Sequence, residues 1–294
     1  MSVFIDKNGI DLENDGVTPD KQVPEAARRG TVAVDGYTLG FIDMEPESTA
    51  VGTALLIPGY SSSAETFACI MAPLARRGYR VVTFSQRGQA LSDGPDTPDG
   101  YSLPRLGQDV HDVCEQLGLS AKVHLLGHSF GGIVAAEAAV INPTRFASIT
   151  MWNSGPSFMG GALPQQAQVL KEHGTNGFFL ADRAVKGIPV DAPLTEIEQY
   201  YYDRLFATQE AQLVAGMDIL MNQTDRIDEL ADLGLPALVS HGAQDDAWPH
   251  AMQQDMADRL SADYWVIARA GHSAHMDRSY LSAQLLANFW DENN

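Results

Sequence analysis

The stretch Leu125-Leu126-Gly127-His128-Ser129-Phe130-Gly131-Gly132 holds one serine between two glycines. Gly127 to Gly131 fits the pattern G-x-S-x-G, which also occurs by chance in glycine-rich turns. Its chemical reading needs a strand before it and a helix after it. A serine on so sharp a turn sits in strained backbone with its hydroxyl projecting from the sheet edge. Glycines two residues to either side leave room for the turn and for close strand–helix packing. Residues 122–126 (KVHLL) read as a short buried strand, and residues 132–141 (GIVAAEAAVI) as a helix of small residues stopped at Asn142-Pro143. Both flanks are read without the motif, so Ser129 is read as a nucleophile.

The chain around this turn alternates strands and helices. Residues 1–30 are polar, with Pro19 and Pro24, and read as an N-terminal arm. Residues 31–34 and 37–42 are apolar runs around Asp35-Gly36, a hairpin signal. Strands follow at 53–57, 79–84 and 147–152, with helices at 65–77 and 103–117. The pattern predicts an α/β fold with a mostly parallel, doubly wound sheet. The strands are continuous apolar runs, as expected when helices cover both faces. The alternation stops after residue 152. Residues 153–230 carry turns and helical patterns, notably 195–206 and 210–221, and are expected to form a helical cap insertion. The sheet pattern resumes with strands at 236–240 and 264–267 and helices at 250–260 and 279–290. The expected organisation is an arm, a core in two parts (31–152 and 231–294) and the insertion between them.

Composition narrows the function classes. Of 294 residues, 45% are hydrophobic and 19% charged, a globular balance. The 19 basic against 38 acidic residues give a net charge of −19, which repels phosphate backbones and anionic membrane surfaces. Nucleic acid and membrane are therefore not expected as partners, and a small-molecule substrate is. No apolar run reaches the roughly 20 residues of a membrane-spanning helix. The first residues lack a basic start followed by an apolar stretch, so a cytoplasmic location is expected. Cys69 and Cys114 have no metal-ligand spacing and are expected to be buried free thiols. No metal or cofactor is expected, and the sequence says nothing of oligomeric state.

A serine hydroxyl needs an adjacent base. His272 follows Gly271 in a loop after a strand, where an imidazole can swing over the strand ends. His275 is its main competitor, while His128 should point elsewhere and His241 is read as structural. The base in turn needs a carboxylate to fix its tautomer. Asp245 and Asp246 both lie just past a strand, in His241-Gly242-Ala243-Gln244-Asp245-Asp246-Ala247-Trp248-Pro249. An oxyanion is best met by backbone N–H donors. Phe130, next after the serine, should supply one, and Tyr60 in the loop Ile57-Pro58-Gly59-Tyr60-Ser61-Ser62-Ser63 the other.

These residues resemble the α/β-hydrolase superfamily, over roughly residues 30–290. The order Ser129, Asp245, His272 is the superfamily's order. Its loops commonly read Gly-x-x-Asp-x-x-x-Pro and Gly-His; Gly242, Asp245 and Pro249 match the first, and Gly271-His272 the second. The resemblance thus selects Asp245 over Asp246 and His272 over His275. Gln86-Arg87-Gly88, with Ser92 following, resembles the arginine-glycine loop of many members. There are departures: Pro58-Gly59 stands where many members have His-Gly, Gln89-Ala90 replaces a second His-Gly, and Ser85 stands for an aspartate.

The resemblance implies hydrolysis of an ester, lactone or thioester of modest size through an acyl-enzyme. A serine nucleophile disfavours the dehalogenase and epoxide hydrolase chemistries, which use aspartate. Carbon–carbon bond hydrolysis, or acyl transfer or ring closure on a biosynthetic intermediate, uses the same groups differently. A catalytically silent ligand-binding member is a further alternative. Trp152, Phe158, Tyr201 and Trp248 are expected to contact a largely apolar substrate. Met159, Phe178, Phe179, Tyr200, Tyr202 and Phe206 are further pocket candidates.

Overall fold

The computed structural model describes residues 18–119, 122–158 and 160–294. Most of the N-terminal arm, and Met159, lie outside the described residues. The first strand, β1, spans Arg28–Val34 and pairs antiparallel with β2 (Tyr37–Met44). Between them Asp35 and Gly36 take φ of 49° and 82°. Two successive positive φ values suit the right-handed twist of a hairpin, which is why Asp-Gly stands there. The hairpin begins three residues earlier than the apolar pattern suggests, because Arg28 pairs opposite Asp43 and donates to its carboxylate at 2.7 Å.

The parallel part of the sheet comprises β3 (Gly52–Ile57), β4 (Tyr79–Phe84), β5 (Val123–His128), β6 (Phe146–Trp152), β7 (Ala237–Gly242) and β8 (Asp263–Ile267). Among the described residues the sheet has eight strands in the order β1-β2-β4-β3-β5-β6-β7-β8. Only the pairs involving β2 are antiparallel. The order reverses at β3, with β4 on one side and β5 on the other, so the chain opens a crevice at the C-terminal ends of these strands.

Helices cover both faces. α1 (Ala68–Arg76) and α9 (Ser279–Asp291) pack on one face; α2 (Leu103–Gln116), α3 (Phe130–Ile141) and α8 (His250–Leu260) pack on the other. Period-two alternation divides each strand between two cores. Leu55, Ile57 and Leu125 join Val110, Val134 and Met256, while Ala54, Leu56 and Leu126 join Phe67, Leu286 and Trp290. Both sets are buried, which accounts for the continuous apolar runs.

Between β6 and β7 the described residues form no strand. They carry α4 (Leu163–Val185), α5 (Glu196–Ala207), α6 (Glu210–Asn222) and α7 (Ile227–Ala231). α5 opens on a capping box between Thr195 and Glu198. The sequence pattern does not announce α4, which is interrupted by Gly174 at φ 65° and ψ −172°. A Cβ there would lie 2.9 Å from the Glu210 carboxylate, which accepts the next backbone N–H, that of Thr175, at 2.8 Å. Among the described residues no helix is long and apolar enough to cross a membrane.

Candidate active site

β5 ends at His128 and α3 begins at Phe130, leaving Ser129 alone to make the turn at φ 54° and ψ −123°. For a residue with a Cβ this is strained backbone. Three hydrogen bonds hold it. The Ser129 N–H donates to the Trp152 carbonyl at 2.9 Å, and its own carbonyl accepts the Gly132 N–H at 2.9 Å and the Ser154 hydroxyl at 2.8 Å. The flanking glycines are required by contact. A Cβ at Gly127 would lie 2.2 Å from the Gly131 carbonyl oxygen, and one at Gly131 would lie 2.3 Å from that of Ile57. The helix therefore approaches the strand backbone itself, as the pattern of glycines in the sequence implies.

The Ser129 hydroxyl lies 2.9 Å from His272 Nε2, and His272 Nδ1 lies 2.8 Å from Asp245 Oδ1. With the Nδ1 proton donated to the carboxylate, Nε2 is free to accept the serine proton. Asp245 is buried and accepts two further hydrogen bonds, from the Ala247 N–H at 3.1 Å and from Asn153 Nδ2 at 2.9 Å. Burial pushes its carboxyl up, but the hydrogen bond and charge of His272, with Asn153 and the Ala247 N–H, outweigh this and hold it below the usual carboxylate range. Asp246 is exposed.

Two other histidines, His128 and His275, pack in turn behind His272. His128 Nε2 donates to the His272 carbonyl at 2.8 Å, which fixes the loop carrying His272. His275 is buried with its Nε2 3.2 Å from Thr66 Oγ1, and its ring meets that of His128 edge-on at 4.7 Å. Burial first, then the nearby His272, lowers His275 to about 3. His241 is buried in β7 against the Tyr264 hydroxyl at 2.7 Å.

Three positioning residues escape the sequence reading. Asn153, just past β6 at φ 49°, donates to Asp245 and, at 3.1 Å, to the Gly271 carbonyl beside His272. Gln86 Nε2 donates to the Pro58 carbonyl and Gln89 Nε2 to the Gly59 carbonyl, each at 2.8 Å. These bonds turn both carbonyls of the β3–α1 loop toward the glutamines. Among the described residues neither the Tyr60 nor the Phe130 backbone N–H has a hydrogen-bond partner. The departures thus fill structural places: Gln89 grips the loop, and the Ser85 hydroxyl accepts the Ala64 N–H at 3.0 Å. The signal that could find the glutamines is their position beside Arg87, which is locked to Asp109 by two bonds of 2.6 Å.

Ser129 and His272 open onto a cavity of about 260 Å³ that Gly59, Tyr60, Tyr201 and Arg204 also line. A second cavity of about 320 Å³ lies among the helices, lined by Phe178, Phe179, Leu205 and Met217; Tyr60, Tyr201 and Arg204 border both. Tyr201 thus lines both cavities. Trp152, expected to contact substrate, lines neither: alternation along β6 sends Met151 to one face and Trp152 to the other, where it is fully buried with Leu126, Leu238 and Ile267. Trp248 and Phe158 line neither cavity. Trp248 packs over Gly155, donates to the Ser157 carbonyl at 3.1 Å and stands 6.2 Å from the His272 ring. Tyr202 stacks on Phe206 with ring centroids 4.2 Å apart and backs Phe179, lining neither cavity itself. Among the described residues no cluster of three or more His, Cys, Asp or Glu side chains is arranged to hold a metal ion.

The family model described as alpha/beta hydrolase fold matches residues 54–279. A pimeloyl-[acyl-carrier protein] methyl ester esterase of Aeromonas salmonicida is 29% identical over 211 residues, covering 68% of this chain and 79% of that protein. A 3-oxoadipate enol-lactonase of Acinetobacter baylyi is 24% identical over 225 residues, covering 72% and 78%. Among solved structures, the enol-lactonase from Burkholderia xenovorans is similar in fold, with a TM-score of 0.74 at 18% identity over 89% of this chain and 100% of that one.

Proposed function

The chain belongs to the alpha/beta hydrolase fold family and is an α/β-hydrolase, and on that premise we propose that it is a serine hydrolase of a small ester or lactone. The observation that carries the proposal is the line of hydrogen bonds Ser129–His272–Asp245, at 2.9 and 2.8 Å. Its relatives that act on a methyl ester and an enol-lactone favour these two substrate classes.

In the proposed mechanism Ser129 Oγ attacks the carbonyl carbon as His272 Nε2 takes its proton. The carbonyl oxygen gains the negative charge and is met by the Tyr60 and Phe130 N–H groups, which among the described residues have no other partner to release. Asp245 stabilises the imidazolium. The ester bond breaks, and the alkoxide leaves with the proton from His272, leaving an acyl group on Ser129. Water then gives a proton to His272 and attacks the acyl carbon. Ser129 departs as the leaving group, recovers the proton, and the acid is released. No net electron transfer occurs. Residues 153–230 act as a cap, bringing Tyr201 and Arg204 to the cavity from α5. The free thiols Cys69 and Cys114 suit a reducing cytoplasm.

The test is hydrolysis of p-nitrophenyl esters by the wild type and Ser129→Ala. The wild type is expected to release p-nitrophenol and to be labelled at Ser129 by a fluorophosphonate, and the variant to do neither while keeping its circular dichroism. Equal turnover by the folded variant overturns the proposal.

A further inference from the structure

Among the described residues, the arginine that lines the cavity at Ser129 has no carboxylate partner. Arg204, on α5, lines this cavity and the adjoining one. Its guanidinium lies over the Tyr201 ring at 4.9 Å and over the Tyr200 ring at 5.6 Å. Its Nε is buried without a hydrogen-bond partner. Among the described residues no carboxylate lies within ion-pair distance of it. The cations that line the adjoining cavity with it, at the end of α4, differ. Arg183 faces Glu198 at 3.5 Å, and Lys186 is bonded to Asp182 at 2.7 Å. In a chain with 38 acidic and 19 basic residues, a carboxylate partner is easy to supply. The position of Arg204 withholds one where the cavity borders the serine.

We propose that Arg204 receives a carboxylate of the substrate, set apart from the carbonyl that Ser129 attacks, so that the substrate is an ester or lactone bearing a free acid. A guanidinium presents two parallel N–H donors that match a carboxylate edge. The two tyrosine rings hold the guanidinium plane before the ligand arrives, which reduces the ordering that binding must supply. Nearby cations that could share a phosphate dianion are already engaged with Glu198 and Asp182, so a single carboxylate fits the remaining charge. The chain between the two groups then runs through the cavity at Ser129, past Tyr60, Tyr201 and Met276. This inference rests on the serine-hydrolase reading for its reaction, but not for its binding step.

Two measurements separate the two claims. Glutarate binding is followed by calorimetry on the full-length wild type, Arg204→Gln and Arg204→Lys. Glutarate is expected to bind the wild type about tenfold to a hundredfold more tightly than Arg204→Gln, the range of a charged hydrogen-bonded contact, with Arg204→Lys in between. Valeramide, its uncharged counterpart, should not distinguish the three. Equal glutarate affinity in wild type and folded Arg204→Gln, or no binding to either, overturns the inference whatever the enzyme hydrolyses. In parallel, kcat/KM is compared for monomethyl glutarate and methyl valerate. The ratio should favour the charged ester in the wild type and fall by tenfold or more in Arg204→Gln, mainly through KM. A ratio unchanged by the substitution overturns it. If glutarate binds through Arg204 but neither ester is cleaved, the serine-hydrolase reading fails and the anion site stands.

Discussion

Asn153 Nδ2 donates to Asp245 Oδ2 at 2.9 Å, a bond between side chains 92 residues apart that joins the end of β6 to the loop after β7. The same amide reaches the Gly271 carbonyl, so one side chain orients both the Asp245 carboxylate and the loop of His272. The positive φ of Asn153 makes glycine the substitution that removes the amide without backbone strain. Asn153→Gly is expected to lower kcat about tenfold, the value of one hydrogen bond to a charged group, with KM nearly unchanged. Steady-state kinetics on the folded variant checks this, and a wild-type kcat rules out the positioning role.

Gln89 is fully buried; its Nε2 holds the Gly59 carbonyl and its Oε1 accepts the Gln86 N–H at 3.1 Å. Gln89→Leu keeps much of the volume and removes both bonds. The loop carrying the Tyr60 N–H then loses its anchor. We expect kcat to fall by about tenfold and stability by about 1–3 kcal/mol, the cost of leaving buried polar groups unpaired. Urea unfolding and kinetics on the same preparation check the two effects separately.

His275 has its folded-state pKa lowered to about 3, against 6.5 for the ordinary side chain. A lowered histidine pKa means that the unfolded chain takes up the proton first as pH falls. The stability held above pH 6.5 is therefore lost progressively from about pH 6.5 down toward pH 3. His275→Gln cannot take up that proton. The slope of unfolding free energy against pH should be shallower in this variant by about 1.4 kcal/mol per pH unit in that window. Parallel slopes in urea titrations from pH 7 to pH 4 contradict the assignment.

Arg87 and Asp109 are both buried and doubly hydrogen-bonded at 2.6 Å. Burial pushes the Asp109 carboxyl above its ordinary value even beside Arg87. Arg87→Met leaves that carboxylate with Arg105 alone, at 3.0 Å, and should cost about 3 kcal/mol or more. Adding Asp109→Leu removes the stranded charge and should restore much of the loss. A double variant no more stable than Arg87→Met refutes this account of the pair.

The glycines at 127 and 131, the alternating apolar runs and the Asp-Gly hairpin are local features, and each was legible because its physics is local. Spacing along the chain fixes which residues share a strand, a turn or a helix. It therefore gave the order of the elements, the serine at the turn, and loops able to bring Asp245 and His272 to it. The polar helix α4 was not legible, because Gly174 interrupts its period and Glu210, 35 residues on along the chain from Thr175, secures the break.

Tertiary structure alone decided what surrounds those groups. Trp152 is aromatic and adjacent to the site in sequence, yet the pleat of β6 turns it into the core, while Tyr201 on a distant helix lines the cavity at Ser129. Asn153, Gln86 and Gln89 carry no motif of their own. Their amides matter because the sheet order sets β3 beside β5 and β6 beside β7, bringing the β3, β6 and β7 loops to one edge. Likewise, that Arg204 stands without a carboxylate depends on which side chains the helices place around it. Local pattern depends on neighbours in sequence; hydrogen bonding and charge pairing depend on neighbours in space, and only the packed fold determines those.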